Sequence, residues 1–267
     1  MKTLLQRYCE LHQQIFVPIF VSDSFDAVQL AESCVAAGAN AIEITCRRKN
    51  VTEEIRRIRM AFPKLIIMVG SVVDDGPMLN FLKHRREDMP SMSELAELGI
   101  DGMVSMMPMS IKTITKFSDN YIMVPGVETL NDAVQAVEAG AHFAKFFNAA
   151  NSGGPKRISL ATCAAMHGLL PVFVTGGITL EKIKPYLSSG TAILGSGWDV
   201  LLGDKYQEAQ EKPDNKILIA ELKRFLDEAA QTRTICPPLD TNSGLKKYLN
   251  TIIHYHPFLD NKSGSKL

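Results

Sequence analysis

The sequence predicts an α/β protein, a single (β/α)8 barrel with a helical extension at its C-terminal end. Three observations lead to this prediction. Eight short apolar stretches alternate with stretches of helical periodicity, which is the pattern of a parallel sheet wrapped by helices. The eight units fit within about 200 residues, the usual size of such a barrel. The glycine fingerprint GxGxxG, typical of an open dinucleotide-binding sheet, is missing from the first helix.

The strands are predicted from runs of apolar and β-branched residues bounded by turn residues. These runs lie near residues 15–21, 40–45, 65–70, 101–105, 121–124, 142–147, 171–175 and 191–195. Helices are predicted where apolar residues recur every three or four positions, and several of them end at a glycine. The predicted helices lie near residues 3–13, 26–37, 53–60, 93–98, 131–139 and 216–230.

Two segments look added to the barrel. Residues 76–90 lengthen the region after the third strand, and their prolines and basic residues predict a surface insertion. We expect residues 1–210 to form the barrel with its N-terminal helix, and residues 211–267 to form a closing helix and an extension packed on the barrel or on a neighbouring subunit. Cys236-Pro237-Pro238 should break that helix. An amphipathic stripe then follows at Leu245, Tyr248, Leu249, Ile252 and Ile253.

Composition excludes several function classes. Lys+Arg and Asp+Glu both number 29, so no overall charge favours nucleic acid or a membrane surface. The five cysteines lack CxxC spacing, which predicts free thiols in a reducing compartment. We find no signal peptide and no membrane-spanning run, so we expect a cytoplasmic protein. The final Ser265-Lys266-Leu267 would act as a peroxisomal address only in a eukaryotic cell.

The run from His142 to Asn148 carries a lysine in an apolar strand. Strand alternation places Phe143, Lys145 and Phe147 on one face, so Lys145 should lie between two aromatic rings. Loss of hydration disfavours a charged ammonium there, and a neutral amine can attack a ketone to form a Schiff base. The alternative is a lysine at a strand end whose charged head reaches water.

The second strand carries an acid at an equally apolar position. Glu43, Thr45 and Arg47 share one face of the strand. A buried carboxylate needs a partner, so Glu43 is either a catalytic acid/base or one half of a structural ion pair with Arg47 or Lys145. The histidines are not spaced as metal ligands, and we therefore expect no metal site.

Glycine-rich turns follow three of the strands. Gly70-Ser71 ends the third strand, Thr175-Gly176-Gly177 the seventh and Gly195-Ser196-Gly197 the eighth. Backbone N–H groups at such turns bind phosphate, and barrels often do so after strands seven and eight. Glycines in these turns can also serve only to close the barrel tightly.

These motifs together resemble a known family, the class I aldolases of 2-keto-3-deoxy-6-phosphogluconate (KDPG) and 4-hydroxy-2-oxoglutarate (KHG). The resemblance runs from about Ile15 to Trp198. It rests on the sequences Ile42-Glu43-Ile44-Thr45-Cys46-Arg47, Pro125-Gly126-Val127, Lys145-Phe146-Phe147-Asn148-Ala149 and Thr175-Gly176-Gly177-Ile178.

The resemblance implies a homotrimeric lyase that cleaves a small 2-keto acid to pyruvate and an aldehyde, either glyceraldehyde 3-phosphate or glyoxylate, without a metal or cofactor. Lys145 then matches the Schiff-base lysine and Glu43 the general acid/base. The implied substrate-binding residues are Arg47, Thr45, Ser71 and Thr175 at the pyruvyl group and Gly176, Gly177, Gly195 and Ser196 at the phosphate end.

Two other functions stay open at this point. The barrel can be a different enzyme that processes phosphosugars, with Lys145 acting only through its charge. It can also be a non-catalytic barrel that binds a keto acid or phosphate. Asn148, Val174 and Ser105-Met106-Met107 depart from the family pattern and leave the aldehyde partner open.

Overall fold

The described residues form eight parallel strands in a single barrel. The computed structural model describes residues 2–212, 215–233 and 244–258. The sheet order is β5-β4-β3-β2-β1-β8-β7-β6. The strands are β1 Phe16–Phe20, β2 Ala41–Thr45, β3 Ile66–Gly70, β4 Gly102–Val104, β5 Ile122–Val124, β6 Ala144–Phe147, β7 Val172–Thr175 and β8 Ile193–Gly197.

The barrel closes between β5 and β6, the two ends of that order. The Lys145 N–H donates to the carbonyl of Pro125 at 2.9 Å, and the Val127 N–H donates to the carbonyl of Lys145 at 2.9 Å. These bonds have the pattern of a parallel pair. The predicted (β/α)8 barrel is confirmed, and each predicted strand is present with ends within a few residues.

Helices surround the barrel. They are α1 Leu4–Gln14, α2 Ala27–Ala36, α3 Val51–Ala61, α4 Pro77–Arg85, α5 Met92–Ala96, α6 Ile111–Phe117, α7 Leu130–Glu138, α8 Gly154–Thr162, α9 Ile183–Ser188, α10 Trp198–Leu202, α11 Tyr206–Glu211, α12 Lys216–Thr232 and α13 Gly244–Leu249. Each predicted helix is present. The others have at most nine residues, too few for a clear period. Among the described residues, no helix combines the length and apolarity needed to cross a bilayer.

Strand alternation divides the core into two layers. Side chains that face the barrel axis, such as Val17, Met68, Val104, Phe143 and Phe173, form one buried cluster. Their sequence neighbours form a second cluster between the sheet and the helices. Apolar side chains fill the barrel interior toward the amino ends of the strands. Polar residues on the axis face are therefore confined to the carboxyl ends of the strands.

The amino end of the barrel is covered by α1 and by residues 244–258. Tyr8 and Leu11 of α1 are fully buried in the axial cluster, which Tyr248 and Ile252 join. The predicted stripe is therefore buried against the described chain, except that Ile253 is 84% exposed because the helix ends at Leu249. The predicted break at residues 236–238 and the C-terminal tripeptide lie outside the described residues.

The predicted insertion after β3 contains α4. Pro77 lies in the first turn of this helix, where its missing N–H costs nothing. Met78 and Phe81 are 62% and 60% exposed, so the helix lies on the surface. Cys9, Cys34, Cys46 and Cys163 are free thiols in the structure.

Candidate active site

Three polar side chains meet on the axis face at the carboxyl end of the barrel. Glu43 of β2 is 1% exposed, Lys145 of β6 is 3% exposed and Thr175 of β7 is 2% exposed. Each follows an axis-facing apolar residue two positions earlier in its strand, namely Ala41, Phe143 and Phe173, as alternation requires. The ionisable side chains of Glu43 and Lys145 therefore lie directly above a layer of apolar side chains in the barrel interior.

Lys145 and Glu43 form a buried ion pair. Nζ of Lys145 lies 3.3 Å from Oε1 of Glu43. The ring centroid of Phe173, on the neighbouring strand, is 5.7 Å from the same Nζ. The expected flanking rings differ in environment, because Phe143 is fully buried whereas Phe147 is 39% exposed. Glu43 therefore pairs with the lysine and not with Arg47, and Lys145 does not extend to water.

Two oxygens beside this pair are left without partners. Oε2 of Glu43 and Oγ1 of Thr175 are buried and have no hydrogen-bond partner among the described residues. A purely structural ion pair in a protein interior is normally completed by further hydrogen bonds. These two oxygens can instead form hydrogen bonds with a bound molecule. Their free hydrogen-bonding capacity favours a binding site over a purely structural ion pair.

Gly70 makes room for the carboxylate. A β-carbon on this residue would lie 2.8 Å from Cδ of Glu43 and closer still to Oε1. Gly70 pairs with Thr45 in the β2–β3 register, so it lies beside the acid at the end of the next strand. The sequence prediction did not include Gly70 among the site residues, although a glycine at a strand end next to a buried acid is a usable signal.

Arg47 and Arg48 have opposite environments. Arg47 is exposed at the rim, and it makes no ion pair within the described part of the chain. Arg48 is 1% exposed; its Nε and Nη2 each lie 2.7 Å from the Glu54 carboxylate, and it also donates to the carbonyls of Ser22 and Phe25. Arg48 thus joins the loops after β1 and β2, a role that the sequence prediction missed.

Thr45 and Ser196 are buried but already engaged by the backbone. Oγ1 of Thr45 donates to the carbonyl of Phe20 at 3.0 Å, and Oγ of Ser196 donates to the carbonyl of Ile178 at 2.6 Å. Ser196 alternates with Gly195, whose added β-carbon would meet axis-facing Ile19 and Thr175, so its side chain faces away from the mouth. The structure does not bring Ser196 together with Lys145 and Glu43.

The remaining predicted residues form turns around the mouth. Ser71 follows β3 in a left-handed conformation, with φ 57°. Gly176 and Gly177 have φ values of 96° and 69°, and a β-carbon on Gly176 would lie 2.6 Å from Cα of Asn148. Glycine is therefore required where the turns after β6 and β7 touch.

The described residues around this pair supply neither a reactive thiol nor a group of metal ligands. Burial raises the pKa of the Cys46 thiol to about 12, so this residue is a poor nucleophile at neutral pH. Among the described residues, no three His, Cys, Asp or Glu side chains are grouped as a metal would need. The reactive groups on the axis face are the amine of Lys145 and the carboxylate of Glu43.

Comparisons with known proteins point to one family. Residues 9–212 match the sequence profile of the family described as KDPG and KHG aldolase. A 2-dehydro-3-deoxy-phosphogluconate aldolase of Dickeya dadantii is 26% identical over 186 residues, which cover 68% of this chain and 79% of that protein.

Solved structures share the fold. The KDPG aldolase of Zymomonas mobilis, crystallised with 3-phosphoglycerate, is 24% identical with a TM-score of 0.62, over 86% of this chain and 96% of that one. The KDPG aldolase of Legionella pneumophila is 19% identical with a TM-score of 0.57, over 86% and 98%. In that structure pyruvate was captured as a covalent carbinolamine.

Proposed function

This chain belongs to the KDPG and KHG aldolase family of carbon–carbon lyases, and on that premise we propose that it is a class I aldolase that cleaves a 2-keto-4-hydroxy acid to pyruvate and an aldehyde. The observation that carries the proposal is the buried pair of Lys145 and Glu43, with Nζ 3.3 Å from Oε1. It joins a Schiff-base amine to a carboxylate within hydrogen-bonding reach.

The reaction begins at the ketone of the substrate. Lys145, as the neutral amine, attacks C2 to give a carbinolamine, and loss of water gives a protonated imine. Glu43 lies close enough to take the proton from the ammonium and to return one to the departing hydroxyl. The pyruvate carbinolamine captured in the Legionella pneumophila enzyme supports this first step.

Bond cleavage uses the imine as an electron sink. The C4 hydroxyl loses its proton, the C3–C4 bond breaks, and its electron pair moves through C2 to the imine nitrogen. The aldehyde leaves, and the remaining enamine gains a proton at C3 before water releases pyruvate and restores Lys145. Oε2 of Glu43, which is buried and unpartnered among the described residues, is the base that we assign to this proton traffic, directly or through one water.

Residues around the mouth hold the pyruvyl group in this proposal. Arg47 offers a forked donor to the substrate carboxylate, with Ser71 and Thr175 adding hydroxyl groups. The unpartnered Oγ1 of Thr175 supports its part. Thr45 acts through the backbone that it fixes, since its hydroxyl is bonded to Phe20.

The aldehyde portion lies toward β7 and β8. The turn at Gly176 and Gly177 carries no side chains there, and Gly195 within β8 leaves the axis face open beside Thr175, whereas the Ser196 hydroxyl is occupied. KDPG and KHG are the reference substrates, because relatives carry both names. We also propose a homotrimer in the cytoplasm; the exposed apolar residues Met78 and Phe81 support a contact between subunits. A monomeric mass in solution would contradict the trimer.

Borohydride trapping tests the central step. We expect borohydride and pyruvate together to leave a reduced pyruvyl adduct, located on Lys145 by peptide mapping. Lys145→Ala should abolish the adduct. Lys182→Ala is the matched control, because Lys182 is a second lysine near the mouth whose Nζ bonds to Gly177 at 3.0 Å, and this variant should keep the adduct. No adduct in folded protein would overturn the aldolase and favour a non-catalytic barrel.

A further inference from the structure

A cavity lies beside the catalytic mouth, between the loop after β1 and the helices after β8. Its volume is about 300 Å³. Its wall carries hydroxyl groups and a single charged side chain, and includes Ser22, Ser24, Trp198, Asp199 and Tyr206. Oγ of Ser22 lies 3.1 Å from Oγ of Ser24 and 3.4 Å from the hydroxyl of Tyr206, so the three hydroxyls form one polar surface.

The strand register fixes how far this cavity lies from the reactive pair. Ile19 of β1 pairs with Glu43 on one side and with Gly197 of β8 on the other. Gly197 is therefore two strands from Glu43, or about 10 Å at the usual strand spacing. The strand that carries Lys145, β6, also lies two strands from β8, so a keto acid bound to Lys145 through C2 can extend its far end toward this cavity.

Asp199 fills the side-chain position that Gly197 leaves empty. A β-carbon on Gly197 would collide with Oδ1 of Asp199 and would lie 3.2 Å from Cγ2 of Val21. Residues of β8 alternate, and Ile193 faces the axis, so the Gly197 position also faces the mouth. The carboxylate of Asp199 therefore lies where the far end of the substrate would pass.

The charge of this carboxylate is not balanced within the cavity. None of the described residues that line it is a lysine or an arginine. Arg48, which follows β2, donates to the carbonyls of Ser22 and Phe25 in the loop after β1, but its charge is paired with Glu54 at 2.7 Å. Lys205, next to Tyr206 in the chain, is paired with Glu221. A phosphate or a carboxylate placed here would face like charge in a confined space, whereas a hydroxyl would donate to Asp199.

We propose that Asp199 selects substrates whose aldehyde portion ends in free hydroxyl groups, such as 2-keto-3-deoxygluconate. This inference rests on the proposed function and narrows it. Cleavage of the C3–C4 bond then moves the C4 hydroxyl proton, by way of the enzyme, to C3 and releases pyruvate and glyceraldehyde. Tyr206 and Ser22 bind the hydroxyls of the departing aldehyde, and a phosphate at its end is rejected.

Steady-state kinetics on two substrates test the selection. Wild type should cleave 2-keto-3-deoxygluconate with a kcat/KM at least about tenfold above that for KDPG. Asp199→Asn keeps the shape and removes the charge, so it should lower this ratio by about tenfold. Asp204→Asn is the matched control, since Asp204 is exposed, does not line the cavity and undergoes the same charge change; its ratio should stay at the wild-type value.

The outcomes separate this inference from the proposed function. A pyruvyl adduct on Lys145 together with a preference for KDPG would overturn the proposed selection by Asp199 but would leave the aldolase function standing. An equal change of the ratio in both variants would overturn it as well, because only the net charge would then matter. Absence of the adduct in folded protein would overturn the aldolase itself and this inference with it.

Discussion

Nζ of Lys145 and Oε1 of Glu43 lie 3.3 Å apart although their residues are 102 positions apart in the chain. The pair spans the barrel between β6 and β2, which are not neighbours in the sheet. Each charge thus compensates the burial of the other. Transfer of one proton from the lysine to the glutamate gives a neutral amine and a neutral acid, the two forms that imine formation needs.

Removing the acid should slow catalysis without abolishing the imine. We expect Glu43→Gln to lower kcat by about 10²- to 10⁴-fold, the usual contribution of a general acid/base. Borohydride should still trap pyruvate on Lys145, at a reduced rate. Steady-state assay and timed trapping on the same preparation measure both effects. Activity within threefold of wild type would assign the proton transfers to another group.

Gly70 should be tolerant of a methyl group only when Glu43 is gone. Gly70→Ala places a β-carbon 2.8 Å from Cδ of Glu43, and overpacking of this kind typically costs about 1–3 kcal/mol in the free energy of unfolding. In a Glu43→Ala background the same change should cost less than about 0.5 kcal/mol. Urea unfolding of the four proteins measures the coupling. Equal costs in both backgrounds would place the strain in the backbone.

Much of the site follows from alternation along strands. Once one residue of a strand is known to face the barrel axis, alternation fixes which later residues of that strand do so. This rule is enough to predict which residues share a face with Glu43 in β2 and with Lys145 in β6. The same rule separates Ser196 from Gly195 and Gly197. Our prediction grouped Ser196 with these glycines by motif, and so it missed the bond of the Ser196 hydroxyl to Ile178.

Loops were less predictable because their contacts are made by distant residues. Nothing in the Arg47-Arg48 dipeptide shows which guanidinium is buried, since the answer depends on Glu54 and on carbonyls of the loop after β1. The sequence predicts the amphipathic C-terminal stripe, but it does not show whether the stripe packs on the barrel or on a neighbouring subunit. Its contact with α1 is set by side chains more than two hundred positions earlier, such as His12 with Tyr248 at 2.7 Å.

Substitution of the two neighbouring arginines should affect different properties, namely protein stability for Arg48 and substrate binding for Arg47. Arg48→Ala removes a buried guanidinium and leaves the partly buried carboxylate of Glu54 unpaired, which should lower the free energy of unfolding by about 3 kcal/mol, the lower end of the range for a buried pair. Arg47→Ala removes an exposed side chain and should change stability by less than about 0.5 kcal/mol, while raising KM for the keto acid about tenfold or more. Urea unfolding and initial-rate kinetics provide the two readouts. Loss of stability in Arg47→Ala with KM unchanged would contradict the assignment.

Buried histidines at the amino end of the barrel should make stability depend on pH. Burial lowers the pKa of His142 to about 3 and that of His254 to about 4, from an ordinary value of 6.5. Nδ1 of His142 accepts the Met123 N–H at 3.2 Å, and Nε2 of His254 lies 3.0 Å from Nε2 of His12. Both contacts suit neutral rings, because protonation would turn an acceptor into a donor.

The direction of the effect follows from which state binds protons first. Below pH 6.5 the unfolded chain protonates these histidines while the folded protein does not, so their stabilising contribution is complete above pH 6.5 and is lost as the pH falls toward 4. Between pH 7 and pH 5 we expect the free energy of unfolding to fall by about 2 kcal/mol for each of the two histidines. His254→Gln should reduce the fall measured for the wild type by about 2 kcal/mol, whereas His84→Gln, at an exposed position, should leave it unchanged. Urea unfolding at the two pH values provides the measurement, and an identical pH dependence in wild type and His254→Gln would show that other groups govern the acid sensitivity of the barrel.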